Sequence, residues 1–253
     1  MPGVTRLTIS NPGKRGALDH EILDGFASTM PQLDARCVIV TGEHRTFSAG
    51  YDIGSLGGWD RDAFADEAER LVAHPFAAAI DAIDAYPYPT LAALNGHAIG
   101  GGLELALACD LRLAASTIAL SMPPAKLGLV YSHTGIRRFI DAIGAARTRE
   151  LFLVGRPIDA ETASAWGLVN GITEPDQLIA QALLLAQEIA ANAPLAQLGN
   201  KRVIRAVLDA QATLAPDVER ELIEMRRACF GSQDFREGVR AFSEKRAPRW
   251  KSR

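Results

Sequence analysis

Asn95-Gly-His-Ala-Ile-Gly-Gly-Gly-Leu-Glu104 follows the apolar run Thr90-Leu-Ala-Ala-Leu94 and leads directly into Leu103 to Cys109, a segment of helical composition. A short apolar run closed on its N-terminal side by Tyr86-Pro-Tyr-Pro89 reads as a strand covered on both faces. Strand, glycine loop and a helix that enters the core at once are the parts of an α/β layer. Gly100-Gly101-Gly102 admits two readings. It can leave backbone N–H groups exposed at a helix N-terminus, where the helix dipole favours an anion or oxyanion, or it can simply allow a tight strand-to-helix turn. Dinucleotide binding fits poorly, because Gly96-His-Ala-Ile-Gly100 lacks the GxGxxG order and no GxxxxGKS/T phosphate loop occurs.

Glu104 favours the first reading. Its sequence neighbours are Ile99, Leu103, Leu105, Ala106, Leu107 and Ala108, and a carboxylate among them is costly unless paired or used. One helical turn beyond Gly101, its side chain can approach whatever the glycine N–H groups hold, unless it snorkels out of a partly exposed helix. A second glycine turn, Phe47-Ser-Ala-Gly-Tyr-Asp-Ile53, offers another N–H after Gly50. Two such donors aimed at one oxygen would form an oxyanion hole. Ser48 lacks the GxSxG context of a hydrolase nucleophile.

Outward from this passage, Arg6 to Ser10 and Cys37 to Thr41 read as strands. Asp19 reads as the N-cap of a helix whose Leu18, Ile22, Phe26 and Met30 make one apolar stripe. Asp60 to Ala85 is expected to be helical, with Phe64, Ala68, Leu71, Phe76 and Ile80 inward. Leu111 to Ala115 and Ile118 to Ser121 follow as strands, then short helices over Ile136–Ile143, Arg147–Val154 and Ala160–Trp166, and a long one over Gln177–Ala193. From Leu195 to the end the pattern is helical with mixed charge, so the expectation is a core over residues 1–195 and a helical extension over 196–253 that packs between subunits.

Composition narrows the function. The chain has 253 residues, 48% of them apolar and 23% charged, which excludes disorder as the main state. With 27 Lys and Arg against 30 Asp and Glu, no basic field exists to attract nucleic acid or anionic lipid. Cys37, Cys109 and Cys229 form no CxxC pair, which argues against a disulfide scaffold, a zinc finger or another metal site and for a reducing compartment. Neither a secretory leader nor a run of ~20 apolar residues is present, so a cytoplasmic protein without membrane contact is expected.

Taken in order, Asn11-Pro12 with Gly16-Ala-Leu18, Val38-Ile-Val-Thr-Gly42, Phe47-Ser-Ala-Gly-Tyr-Asp52, Asn95 to Glu104, Ala108-Cys-Asp-Leu-Arg112 and Arg236 to Arg246 resemble the enoyl-CoA hydratase/isomerase (crotonase) superfamily. The resemblance implies an α/β spiral of ββα units with a helical C-terminal trimerisation region, forming a homotrimer or hexamer. It also implies acyl-CoA thioester substrates, coenzyme A entering as part of the substrate and not as a separate cofactor. The oxyanion-hole donors would be the backbone N–H groups of Tyr51 and Gly101, and Glu104 matches one of two hydratase carboxylates. Ala17, Ala49, Asp52 and Ile53 match the part that holds adenine and pantetheine, with Arg15 and Lys245 as candidates for the CoA phosphates.

The sequence also departs from the hydratase pattern. Met122-Pro-Pro-Ala-Lys-Leu-Gly128 places Pro124 where a hydratase has its second glutamate, which weakens a water-adding assignment. Pro124 and Tyr131 are similar to the methylmalonyl-CoA decarboxylase branch, although Tyr51 stands where that branch has a histidine. The resemblance therefore points to lyase chemistry on a malonyl-type thioester, with Glu104 and Tyr131 as catalytic groups and His133 as a nearby titratable side chain. Two alternatives stay open: hydration or isomerisation with Glu104 as the single acid/base, and a noncatalytic CoA-thioester binding protein.

Overall fold

The computed structural model describes residues 3–52, 75–211 and 213–251. Its strands are β1 (Val4–Ile9), β2 (Cys37–Gly42), β3 (Thr46–Ser48), β4 (Thr90–Leu94), β5 (His97–Ile99), β6 (Leu111–Ala115), β7 (Ala119–Ser121), β8 (Ile158–Asp159) and β9 (Gly171–Thr173). Its α-helices are α1 (His20–Thr29), α2 (Pro75–Ala85), α3 (Gly101–Ala108), α4 (His133–Arg149), α5 (Ala160–Ala165), α6 (Leu178–Ala191), α7 (Pro194–Ala210), α8 (Pro216–Phe230) and α9 (Gln233–Ser243).

One sheet runs β1-β2-β4-β6-β9 with every pairing parallel, and the other runs β3-β5-β7-β8 with only β8 antiparallel. The pairs β2/β3, β4/β5 and β6/β7 each give one strand to each sheet before the chain turns into a helix, so the fold is a spiral of ββα units. Side chains on both faces of the first sheet meet covering layers, which is why β2 and β4 are apolar without alternation and buried throughout. Asn95 fastens the corner between β4 and β5: its side-chain oxygen accepts from Gly42 N at 2.9 Å, and its amide donates to His44 O at 2.9 Å. Gly96 is required there, because a Cβ would lie 2.0 Å from Arg45 O.

Asp19 caps α1 as its position suggests, accepting from Ile22 N at 3.0 Å, and Leu18, Phe26 and Met30 are buried beneath it. Gly144, with φ 73°, breaks the helical run after Ile143, and a π-helical turn over Glu150–Val154 continues it. Two expectations need correction. The helix of the glycine loop starts at Gly101, not Leu103, because first-turn N–H groups need no intrahelical partner and glycine can occupy that turn; Cys109 is its C-cap and not a helical residue. Ser10 lies outside β1, its hydroxyl donating to Glu43 at 2.5 Å, and β1 begins earlier, at Val4. Of the helix expected over Asp60–Ala85, Phe76 and Ile80 are buried in α2, whereas Phe64, Ala68 and Leu71 lie outside the described residues.

After Ala193 the chain is a bundle of three described helices. α9 docks firmly, burying Phe235, Val239 and Ala241, and it lies so close to the turn at Pro124–Leu127 that a Cβ on Gly238 would sit 2.3 Å from Leu127 O. α7 is different, with no buried residue and with Leu195, Val203, Ile204 and Val207 exposed. No single described helix is long and apolar enough to cross a membrane.

Candidate active site

The two glycine turns meet. Gly50 has φ 87°, and a Cβ there would lie 2.6 Å from Ile99 O and 3.4 Å from Gly101 N, so the first turn rests directly on the start of α3. Ser48 shapes that turn, its hydroxyl accepting from Gly50 N at 3.1 Å and donating to Gly16 O at 2.7 Å. A strap from residue 18 completes it: Leu18 N donates to Gly50 O at 2.8 Å and Asp52 N donates to Leu18 O at 3.1 Å. In this pairing the flanking groups are spent, and among the described residues neither Tyr51 N–H nor Gly101 N–H donates to a protein acceptor. Gly100 adopts φ 55° and ψ −123°, a conformation essentially restricted to glycine, and its carbonyl accepts from Leu103 N and Glu104 N at 3.0 and 3.1 Å. The triplet thus makes a tight turn and starts the helix with donors unspent on protein acceptors among the described residues.

Glu104 does not snorkel; it is 3% exposed. The Tyr131 hydroxyl donates to its Oε2 at 2.5 Å. Burial pushes the carboxyl up to about 7, against the opposing pull of the Tyr131 hydrogen bond and the Arg138 charge. Arg138 is itself held at 2.5 Å by Asp84 of α2. The Tyr51 hydroxyl interacts with that of Tyr131, and burial beside Glu104 drives both phenols well above their usual range. Aromatic edges fix the two rings: Tyr51 meets Phe76 at 4.7 Å and Tyr131 meets Phe152 at 5.5 Å, each nearly perpendicular.

Glycines make room for this cluster. A Cβ on Gly101 would lie 3.0–3.2 Å from three atoms of the Tyr51 ring, so the ring lies across the residue that starts α3. A Cβ on Gly135, in the first turn of α4, would lie 2.7 Å from Glu104 Oε1 and 2.7 Å from Tyr131 Cε1. Ser132 caps α4, accepting from Gly135 N at 3.1 Å, and so presents the helix start to the carboxylate.

The other candidates occupy several places. Ala17 and Ala49 flank the first turn, with Asn11 donating to Ala17 O at 3.0 Å and Ala49 N donating to Arg15 O at 3.1 Å. Asp52 is buried and ion-paired to Lys14. Arg15 is exposed beside a cavity of about 270 Å³ that Asn11, His44 and Thr46 also line. Lys245 is exposed just after α9 with φ 52°, and Ile53 lies outside the described residues. Pro124 is buried and opens the turn that α9 grips. His133 begins α4 and faces Glu219 of α8 at 3.5 Å. Among the described residues no three His, Cys, Asp or Glu side chains are grouped to hold a metal.

Gly135, Lys14, Asp84 and Arg138 belong to the site or its supports without standing out in the sequence. Only Gly135 carried a usable signal, as a glycine three residues after a capping serine in a segment that starts a helix. Charged residues that pair across elements leave no trace in local spacing.

The chain matches the family model "Enoyl-CoA hydratase/isomerase" over residues 1–253. It is 34% identical to a probable enoyl-CoA hydratase of Bacillus subtilis, over 98% of this chain and 95% of the relative. It is 32% identical to the methylmalonyl-CoA decarboxylase of Escherichia coli, over 93% of this chain and 89% of that one. A solved structure of methylmalonyl-CoA decarboxylase in complex with 2-nitronate-propionyl-CoA superposes with a TM-score of 0.89 at 29% identity, covering 100% of this chain and 96% of the other. With its full length matched and its ββα spiral intact, the chain belongs to the enoyl-CoA hydratase/isomerase family of acyl-CoA enzymes.

Proposed function

We propose that the protein decarboxylates a short malonyl-type acyl-CoA through a thioester enolate. The observation that carries this reading is the buried Glu104–Tyr131 pair beside two unspent backbone donors, with Pro124 where a second carboxylate would be needed to add water. The thioester oxygen accepts from Tyr51 N–H and Gly101 N–H. As the bond between the α-carbon and the substrate carboxylate breaks, its electron pair moves into the enolate and CO2 leaves. Charge then rests on the oxygen facing both donors, which stabilise it most when it is negative. A proton passes to the α-carbon from the Tyr131–Glu104 pair, and a carboxyl group titrating at about 7 can be neutral and proton-bearing at the working pH.

CoA lies along Ala17, Ala49, Asp52 and Ile53 in this proposal, with Arg15 and Lys245 as its phosphate partners. Residues 196–253 act as the association region of a trimer or hexamer, consistent with the exposed apolar face of α7. Free thiols at Cys37, Cys109 and Cys229 suit a reducing cytoplasm. Hydration or isomerisation with Glu104 as the single acid/base is the second reading, favoured by the same carboxyl group. Purified protein given methylmalonyl-CoA and crotonyl-CoA separates the readings: CO2 release from the first is expected, and water addition to the second without CO2 release overturns the decarboxylase.

A further inference from the structure

A cavity of about 1330 Å³ lies between α4, α7 and α8, walled by Ile136, Ile140, Ile204 and Leu208. Tyr131 lines it, whereas Glu104, Gly101 and Tyr51 do not. Tyr131 therefore has the cavity on one side and the Glu104 carboxylate on the other. Tyr51 extends this wall: its ring crosses Gly101, its edge meets Phe76 and its hydroxyl meets Tyr131. The Tyr51 ring, 3.0–3.2 Å from where a Cβ on Gly101 would stand, therefore borders any acyl group whose thioester oxygen sits at the N–H groups of Tyr51 and Gly101.

We infer that Tyr51, with Tyr131, is a chain-length stop that confines the site to short acyl groups and closes it from the cavity behind. The inference rests on the proposed acyl-CoA binding at Tyr51 and Gly101. The two phenol hydroxyls, turned to each other and to Glu104, make the end wall polar and unsuited to a continuing methylene chain. Apolar pockets discriminate by about 10–200-fold per misplaced methylene, so a rigid aromatic wall gives a sharp limit.

The test measures binding of acetyl-, propionyl-, butyryl-, hexanoyl- and octanoyl-CoA by titration calorimetry to wild type, Tyr51→Phe, Tyr51→Leu and Tyr51→Ala, each checked for folding by circular dichroism. All keep the backbone N–H. Wild type and Tyr51→Phe should bind the short esters and lose affinity at least about tenfold at hexanoyl and beyond. Tyr51→Ala, and Tyr51→Leu to a smaller degree, should regain at least that factor for octanoyl-CoA. Equal affinity of wild type across the series overturns the inference, as does an unchanged limit in a folded Tyr51→Leu or Tyr51→Ala. Failure of every ester, short ones included, to bind wild type would instead overturn the functional reading beneath it.

Discussion

Replacing Glu104 by Gln isolates the energetic consequence of burying its carboxyl group. Glutamine keeps the shape and a hydrogen-bonding oxygen for Tyr131, but it has no proton to lose. Raising the group from its ordinary 4.5 to about 7 means that the folded state resists ionisation. At ~1.4 kcal/mol per tenfold change, ionised Glu104 costs the folded protein about 3 kcal/mol. Because the folded value is the higher one, wild type has its full relative stability below about pH 4.5 and loses it as pH rises through 7. The stability of Glu104→Gln relative to wild type should therefore rise by about 3 kcal/mol from pH 4.5 to pH 8.5, a change of roughly 6–12 °C in relative Tm for a chain of this size. Thermal melts at matched concentration across that range measure it. A gap that stays constant with pH would refute the reasoning, since Glu104 would then titrate like an exposed carboxylate.

Three further perturbations address the groups around it. Gly135→Ala places a methyl 2.7 Å from Glu104 Oε1 and should lower kcat by about 100-fold through misplacement, while thermal melts show a folded protein. Tyr131→Phe removes the hydrogen bond that holds the Glu104 carboxyl down, so it should titrate above about 7 and the alkaline limb of the kcat/KM profile should move to higher pH. Arg138→Leu leaves Asp84 without its 2.5 Å partner and should cost about 2 kcal/mol in urea unfolding.

Much of the frame was legible because it rests on local patterns. β2 and β4 announced themselves as uninterrupted apolar runs, and Asp19 as a cap ahead of a spaced apolar stripe. Glu104 stood out because a carboxylate sat among apolar neighbours. What remained hidden depends on distant elements meeting. Tyr131 lies 27 positions from Glu104, and only the placement of α4 across α3 brings its hydroxyl to the carboxylate. Gly135 acquires its role from the same crossing. Gly101 and Gly102 looked like loop residues because glycine disfavours helix interiors, yet the first turn of a helix tolerates them where a ring or a hydroxyl must approach closely. The Tyr51 partition needed three elements in place at once, so no spacing rule exposes it.

In the mechanism we propose, catalysis depends on preferring an enolate to a neutral thioester at Tyr51 N–H and Gly101 N–H. The most direct measurement is the affinity of a CoA ester carrying a planar nitronate beside the thioester, an anionic mimic of the enolate, against that of uncharged propionyl-CoA. Binding of the nitronate at least about 100-fold tighter is the expected result. Equal affinities would contradict an enolate-stabilising site.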